Sequence, residues 1–252
     1  MTAAELRLLS DERARHHTAD LCADADIAIG EKDARALERR LNVIVPLSFS
    51  LVSGKRTASC FVQVRDVLDV HFSNFYTEEA LFSEQAFRAL DAAMQPYLDT
   101  WGYRTPRIFG QWGRMLLQDR ADAVPVSRIL ADTRRMTADS ASYPNLTSMK
   151  TADCIARGAY MHIADGQIVC VAAVNQSGGV GECVEIGVEC APAYRRQGLA
   201  VSCVCALTEE LCREGKTVLW RHYHTNIASA KTAESAGFLQ AGRFFAYTCF
   251  AK

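Results

Sequence analysis

Residue types and spacing best fit a chemical task in the stretch Cys190-Ala-Pro-Ala-Tyr-Arg-Arg-Gln-Gly-Leu-Ala200. It follows Cys183–Cys190, which reads as a strand. It opens a helix whose Leu199, Cys203, Leu207 and Leu211 form one apolar stripe. A strand that enters a glycine-containing turn at a helix start is a cradle for an anion. The unpaired N–H groups of the first turn and the positive end of the helix dipole both face the ligand. Gly198 removes a Cβ where backbone must approach phosphate, and Arg195 and Arg196 add local positive charge.

Other reactive side chains flank the cradle. Glu185 and Glu189 lie on one side of the preceding strand, as solvated or arginine-paired carboxylates or as proton acceptors. His222 and His224 share a face of the next strand, Lys216–His224. Two histidines at that spacing could bind a metal, but no third ligand is apparent, and polar lining is the plainer reading. Cys190 could act as a nucleophile, yet no base for its thiol is evident.

The run Arg195-Arg196-Gln197-Gly198-Leu199-Ala200 resembles the pyrophosphate-binding motif of the GNAT acetyltransferase superfamily, Gln/Arg-x-x-Gly-x-Gly/Ala. Its lead-in, Cys190-Ala-Pro-Ala-Tyr-Arg195, is similar to the family's Val-x-Pro-x-Tyr-Arg, with Cys in place of Val. Downstream, Asn226-Ile-Ala-Ser229 through Ala233-Glu-Ser-Ala-Gly-Phe238 resembles the family's Asn-x-x-Ser helix ending in Gly-Phe. Glu185-Ile-Gly-Val188 together with Phe244-Phe-Ala-Tyr247 is most similar to the branch of zwittermicin-resistance-type acetyltransferases. The resemblance covers residues 126–252, weakly at first and strongly after 180.

The resemblance implies an α/β fold with a bent mixed sheet, and acetyl-CoA as co-substrate in the wedge between Cys183–Cys190 and Val218–His224. In it, backbone at Val188 and Cys190 would meet the pantetheine. Arg195, Arg196, Gln197, Gly198, Leu199 and Ala200 would hold the pyrophosphate, and Asn226 and Ser229 would face the same ligand. The implied activity is direct transfer of the acetyl group to a primary amine of a small molecule or peptide, with no metal. A base must take the amine proton, and Glu185, Glu189 and, in second place, His222 are the candidates. An N–H near Val188 would meet the oxyanion. The tyrosine that many relatives carry seven residues after the Asn is Ala233 here, so Tyr247, Tyr223 or a water must stand in. That substitution keeps two further readings open: a catalytically silent acyl-CoA-binding module, and an acyltransferase using another donor.

The elements that must position these residues differ along the chain. Residues 126–252 read as short strands and turns, including a hairpin at Asp165-Gly166, while the first 40 residues read as one or two helices. Leu41–Val52 and Ser59–Arg65 read as strands joined near Gly54, and Glu79–Leu98 as a helix. Trp101–Leu117 fits no element, and its aromatic and arginine residues, Phe109 and Arg107 included, suit an interface. Hence two regions are expected: 1–125, an added α/β part that shapes the acceptor site or a homodimer contact, and 126–252, the acyl-CoA domain.

Composition agrees with a soluble globular chain of 252 residues, 49% hydrophobic and 23% charged. With 28 basic against 29 acidic residues there is no electrostatic footprint for nucleic acid. No run of 18 apolar residues predicts a membrane span, and the start lacks the apolar core of a signal peptide. Ten cysteines without a Cys-x-x-Cys read as reduced thiols of a cytoplasmic protein.

Overall fold

The computed structural model describes residues 1–16, 26–32, 35–39, 41–105, 111–175 and 183–252. Thr2 and Glu5 cap each other's backbone at the start of α1 (Ala3–Arg15). A short strand, β1 (Ile27–Glu31), and a helical turn, α2 (Arg35–Glu38), precede the hairpin of β2 (Val43–Val52) and β3 (Lys55–Cys60). Ser53 and Gly54, at φ 48° and 81°, make its two-residue turn, whose twist suits paired strands. Then come α3 (Arg65–Asn74), α4 (Glu78–Leu81) and α5 (Glu84–Trp101). Ser83 caps the start of α5 and Gly102 ends it in the left-handed conformation. Two strands, β4 (Tyr103–Arg104) and β5 (Trp112–Gln118), close this half.

The second half runs through β6 (Thr133–Arg135), α6 (Thr151–Arg157) and the hairpin of β7 (Ala159–Ala164) and β8 (Gln167–Val174). It finishes with β9 (Cys183–Cys190), α7 (Leu199–Arg213), β10 (Thr217–Tyr223), α8 (Ile227–Ser235) and β11 (Leu239–Ala251). All strands join in one sheet, ordered β1-β3-β2-β11-β5-β10-β9-β8-β7-β6, with β4 beside β11. The pairs β1–β3 and β9–β10 are parallel and the others antiparallel, so the fold is the mixed α/β type that the resemblance implied.

Strand alternation sorts the core onto two faces. On one, α3 and α5 bury Phe49, Phe245 and Tyr247, and α7 buries Leu116, Ile186, Val218 and Trp220. On the other, α1 lays Ala4, Leu8 and Leu9 over Val52, Met115, Leu117, Cys183 and Leu219, while Cys154 of α6 packs with Met161 and Val171. The centre of the sheet is built from distant parts of the chain: β11 lies between β2 and β5, and β5 between β11 and β10.

Several elements differ from the sequence reading. The first 40 residues contain a strand, β1, besides the helix α1, because five residues at a sheet edge leave little periodicity to read. The second hairpin strand starts at Lys55 rather than Ser59 and stops at Cys60, and Val62–Val64 form a 3-10 turn. The helix expected over 79–98 is broken near Phe82 into α4 and α5. Trp101–Leu117 contains most of the central strand β5, while Arg107 and Phe109 lie outside the described residues. Among the described residues no helix is long and apolar enough to cross a membrane, and no cluster of three His, Cys, Asp or Glu could hold a metal.

Candidate active site

Parallel strands β9 and β10 pair over three rungs only, Thr217↔Cys183, Val218↔Val184 and Leu219↔Glu185. Beyond them β9 stays with β8 from Ile186 to Cys190, and β10 stays with β5 through Tyr223, so the two strands diverge. The β10-facing edge of β9 past Glu185 thus has no strand partner, and a cleft of about 1050 Å³ opens there. Backbone groups along that edge must be satisfied by water or by a ligand. Val188, Glu189 and Cys190 line the cleft on one side, Trp220, Arg221, Asn226 and Ser229 on the other.

The wide end of the wedge is the glycine turn. Arg196 and Gly198 both adopt left-handed backbone, φ 63° and 82°, and bring α7 round with its N-terminus at the cleft. No side chain caps α7, so the donors of its first turn remain for an anion. A Cβ on Gly198 would find no atom within 4 Å, which leaves open space where a phosphate would approach. Arg195, Arg196, Leu199 and Ala200 line the same end, and Arg195 Nε donates to the Cys190 carbonyl at 3.0 Å. Gln197 does not line the cleft; its amide turns back toward the Ala193 carbonyl, 3.5 Å away. The residues present therefore fit a pyrophosphate group.

On the far wall, Asn226 caps α8 by accepting from the Ser229 N–H at 3.1 Å, and the Ser229 hydroxyl accepts from Trp220 Nε1 at 3.0 Å. The side-chain amide nitrogen of Asn226 is the part left to face a ligand. Ala233, one helical turn further, is fully buried against the core of α7. A hydroxyl is therefore missing at this position.

The narrow end of the wedge is charged. Glu185 accepts from Asn175 Nδ2 at 3.2 Å and faces Arg221 Nε at 3.5 Å and Arg15 at 4.0 Å. Arg221 also bonds the carboxylate of Glu12, a fully buried residue of α1 that accepts from Ser50 as well. Burial works to raise the Glu12 carboxyl, but Arg221 with Arg15 and the Ser50 hydroxyl outweighs it and holds the group below the usual carboxylate range. Glu189 lines the cleft nearer its mouth and accepts from Ser148 N and Oγ at 2.9 and 2.5 Å.

Two of the sequence candidates for proton transfer lie away from the cleft, and Cys190 is unsuited to act as a nucleophile. His222 is buried on the opposite side of β10 from Arg221, with Nδ1 2.9 Å from the Tyr223 carbonyl, and does not line the cleft. Tyr247 is fully buried in the core under α5, its hydroxyl donating to Asp91 at 2.6 Å. Burial and that bond push its phenol far up, so neither position nor acidity suits a proton donor for the cleft. Cys190 does line the cleft, but a hydrogen bond with Cys170 and burial push its thiol up, away from the thiolate a nucleophile needs. Of the residues gathered here, the sequence reading missed Arg221, Asn175, Ser148, Glu12 and Arg15. Only Arg221 carried a local signal, since it alternates with His222 on the strand already singled out.

Residues 149–247 match the family model of the GNAT acetyltransferases. The matched stretch runs from just before α6 into β11 and takes in both walls of the cleft. No curated protein matches the chain. Among solved structures it is similar to a GCN5-related N-acetyltransferase-like protein from Streptococcus suis, 14% identical, covering 87% of this chain and 78% of that one, at TM-score 0.44. It is also similar to a GCN5-related N-acetyltransferase from Kribbella flavida, 15% identical over 86% and 91% of the two chains, at TM-score 0.41. Those likenesses are distant.

Proposed function

We propose that this protein moves an acetyl group directly from acetyl-CoA to a primary amine of a small molecule or peptide. The observation that carries the reading is the wedge, a splayed parallel strand pair with the uncapped start of α7 at its wide end. In this reading Gly198, Leu199 and Ala200 hold the pyrophosphate, with Arg195 and Arg196 around it, while Gln197 braces the turn at the Ala193 carbonyl. The free edge of β9 at Val188 and Cys190 pairs with the pantetheine, and Asn226 and Ser229 face it. Bound acetyl-CoA supplies an activated acyl carbon. Glu189 takes the proton of the amine, favoured over Glu185 because it lines the cleft while Glu185 is set behind it with Arg221 and Asn175. Direct transfer is supported by the hydrogen bond with Cys170 and the burial that push the Cys190 thiol up.

The division into regions 1–125 and 126–252 becomes a division of labour, in which α1 shapes the acceptor side. We place the chain nearest the zwittermicin-resistance-type branch, on Glu185–Val188 and Phe244–Tyr247. Free, mostly buried cysteines suit a cytoplasmic enzyme. One observation favours a second reading: buried Ala233 leaves no hydroxyl for the leaving thiol, as expected of a silent acyl-CoA binder or of an enzyme adapted to another acyl donor.

Thermal unfolding with and without acetyl-CoA or CoA tests binding, because a ligand of the native state raises its apparent stability. Thiol release from acetyl-CoA over a panel of amines then separates enzyme from binder. A melting temperature unmoved by saturating CoA overturns every acyl-CoA reading. Binding without thiol release for any amine selects the silent module.

A further inference from the structure

The narrow end of the wedge holds a cation whose surroundings resemble no simple surface ion pair. Arg221 stands two residues past the last rung of β9–β10 pairing, level with Gly187, and lines the cleft. Its side chain is only 12% exposed, and the buried Nε makes no hydrogen bond, with Glu185 as its ion-pair partner at 3.5 Å. The guanidinium is held from both sides. On α1, the fully buried Glu12 binds it; on β11, the Phe244 ring lies 5.6 Å below its carbon. Its charged and titratable neighbours are Glu12, Arg15 and His16 from α1, Glu185 from β9 and Tyr223 from its own strand. Met115 of β5 is uncharged.

A phosphate group at Gly198 fixes one end of an acyl-CoA and leaves the arm to run along the free edge of β9. The four steps of strand from Cys190 back to Ile186 span roughly 13 Å. The thioester end thus travels toward the apex, where Arg221 is the cation that lines the cleft. Ala233 supplies no hydroxyl for the leaving sulfur there.

We propose that Arg221, held in place by the buried Glu12, is a catalytic residue that stabilises the leaving thiolate of CoA. The inference rests on the acyl-CoA reading above. In the step concerned, the amine nitrogen bonds to the thioester carbonyl carbon and the carbon–sulfur bond breaks. The electron pair stays on sulfur, the nitrogen loses its proton to Glu189, and the thiolate takes a proton from water afterwards. A cation fixed before the reaction stabilises the sulfur charge without reorganising. Glu12 is a positioning residue: its carboxylate aims the guanidinium and touches no reacting atom.

The test needs no acceptor. Bound CoA is titrated by the ultraviolet absorbance of its thiolate, and affinity is followed by calorimetry. In the wild type the bound thiol ionises at least about one pH unit below free CoA, a tenfold bias toward thiolate. Arg221→Met and Glu12→Gln each remove most of that displacement, and Arg221→Lys restores part of it. Loss of one partner leaves a buried charge, so Arg221→Met combined with Glu12→Gln is the variant that best preserves the fold. It abolishes the displacement while CoA affinity stays within about threefold, as expected if the phosphates are read elsewhere. Where an amine is acetylated, Arg221→Met lowers kcat by roughly 100-fold. A displacement that persists in the double variant, or a wild-type bound thiol that ionises like free CoA, overturns the proposal while leaving the acyl-CoA reading intact. A wild type that binds no CoA overturns both.

Discussion

Gly198 and Gly215 stand at opposite ends of α7, and the pair separates ligand binding from backbone strain. Both are left-handed, at φ 82° and 77°, and at neither would an added Cβ meet an atom within 4 Å. Replacing either by Ala therefore adds the same penalty, ~1–2 kcal/mol for a side chain in that conformation. In a chain of this size that lowers the melting temperature by roughly 2–8 °C. Only Gly198 borders the cleft. Its methyl group would occupy the space through which phosphate oxygens approach the first-turn N–H groups. Loss of one charge-assisted hydrogen bond there costs ~1.5–3 kcal/mol, or roughly 10- to 150-fold in affinity. Calorimetric titration with CoA should show Gly198→Ala weakened to that extent and Gly215→Ala unchanged, at matched losses of melting temperature. Equal weakening in both variants would trace the effect to helix strain, and unchanged binding in both would show that the phosphates lie elsewhere.

Three further outcomes follow from the site and the core. Glu189→Gln should keep CoA affinity and lower amine-dependent thiol release by roughly 100-fold, the usual scale of a lost general base; full activity would return the role to Glu185 or to water. Cys190→Ser should retain most thiol release and form no acetylated protein, whereas trapping of an acetyl-enzyme by mass spectrometry in the wild type would overturn direct transfer. His16 and His71, buried and displaced by desolvation from an ordinary 6.5 to about 4, bind fewer protons folded than unfolded between those values. Their stability contribution is thus complete above pH 6.5 and is lost as pH falls toward 4, by up to about 1.4 kcal/mol per pH unit for each histidine. Urea unfolding between pH 7 and 4.5 should show that slope, and His71→Asn should reduce it; an unaltered slope would mean other groups carry the acid sensitivity.

The turn from Cys190 to Ala200 was legible because every residue in it answers a local demand. Gly198 permits the left-handed turn, the arginines bring charge, and the leucine stripe announces the helix. Asn226 and Ser229 were legible for the same reason, as a cap and its partner. What escaped the sequence depends on distance. Glu12 and Arg221 are 209 positions apart, and nothing near either forecasts that a buried carboxylate will meet a strand arginine. Tyr247 shows the converse error: a tyrosine in a promising segment faces the side of β11 that α5 covers. Strand parity separates the two faces, but only the packed helices decide which face is the site. Likewise β5 gave no sign of its central place, because its partners β10 and β11 lie about a hundred residues downstream.

The position of β11 between β2 and β5 also governs how the protein can be made. Ribosomal synthesis delivers β2 and β5 long before the 13 residues of β11 that join them. Until then, both strands present unpaired edges, and an edge of that kind invites pairing with another chain. The slow step in assembly should thus be insertion of the final strand into a waiting gap, with a high separation in sequence between the residues that meet. Truncating the chain near residue 238 would leave that gap permanently open, and expression as two separate halves would require β11 to cross from one polypeptide to the other.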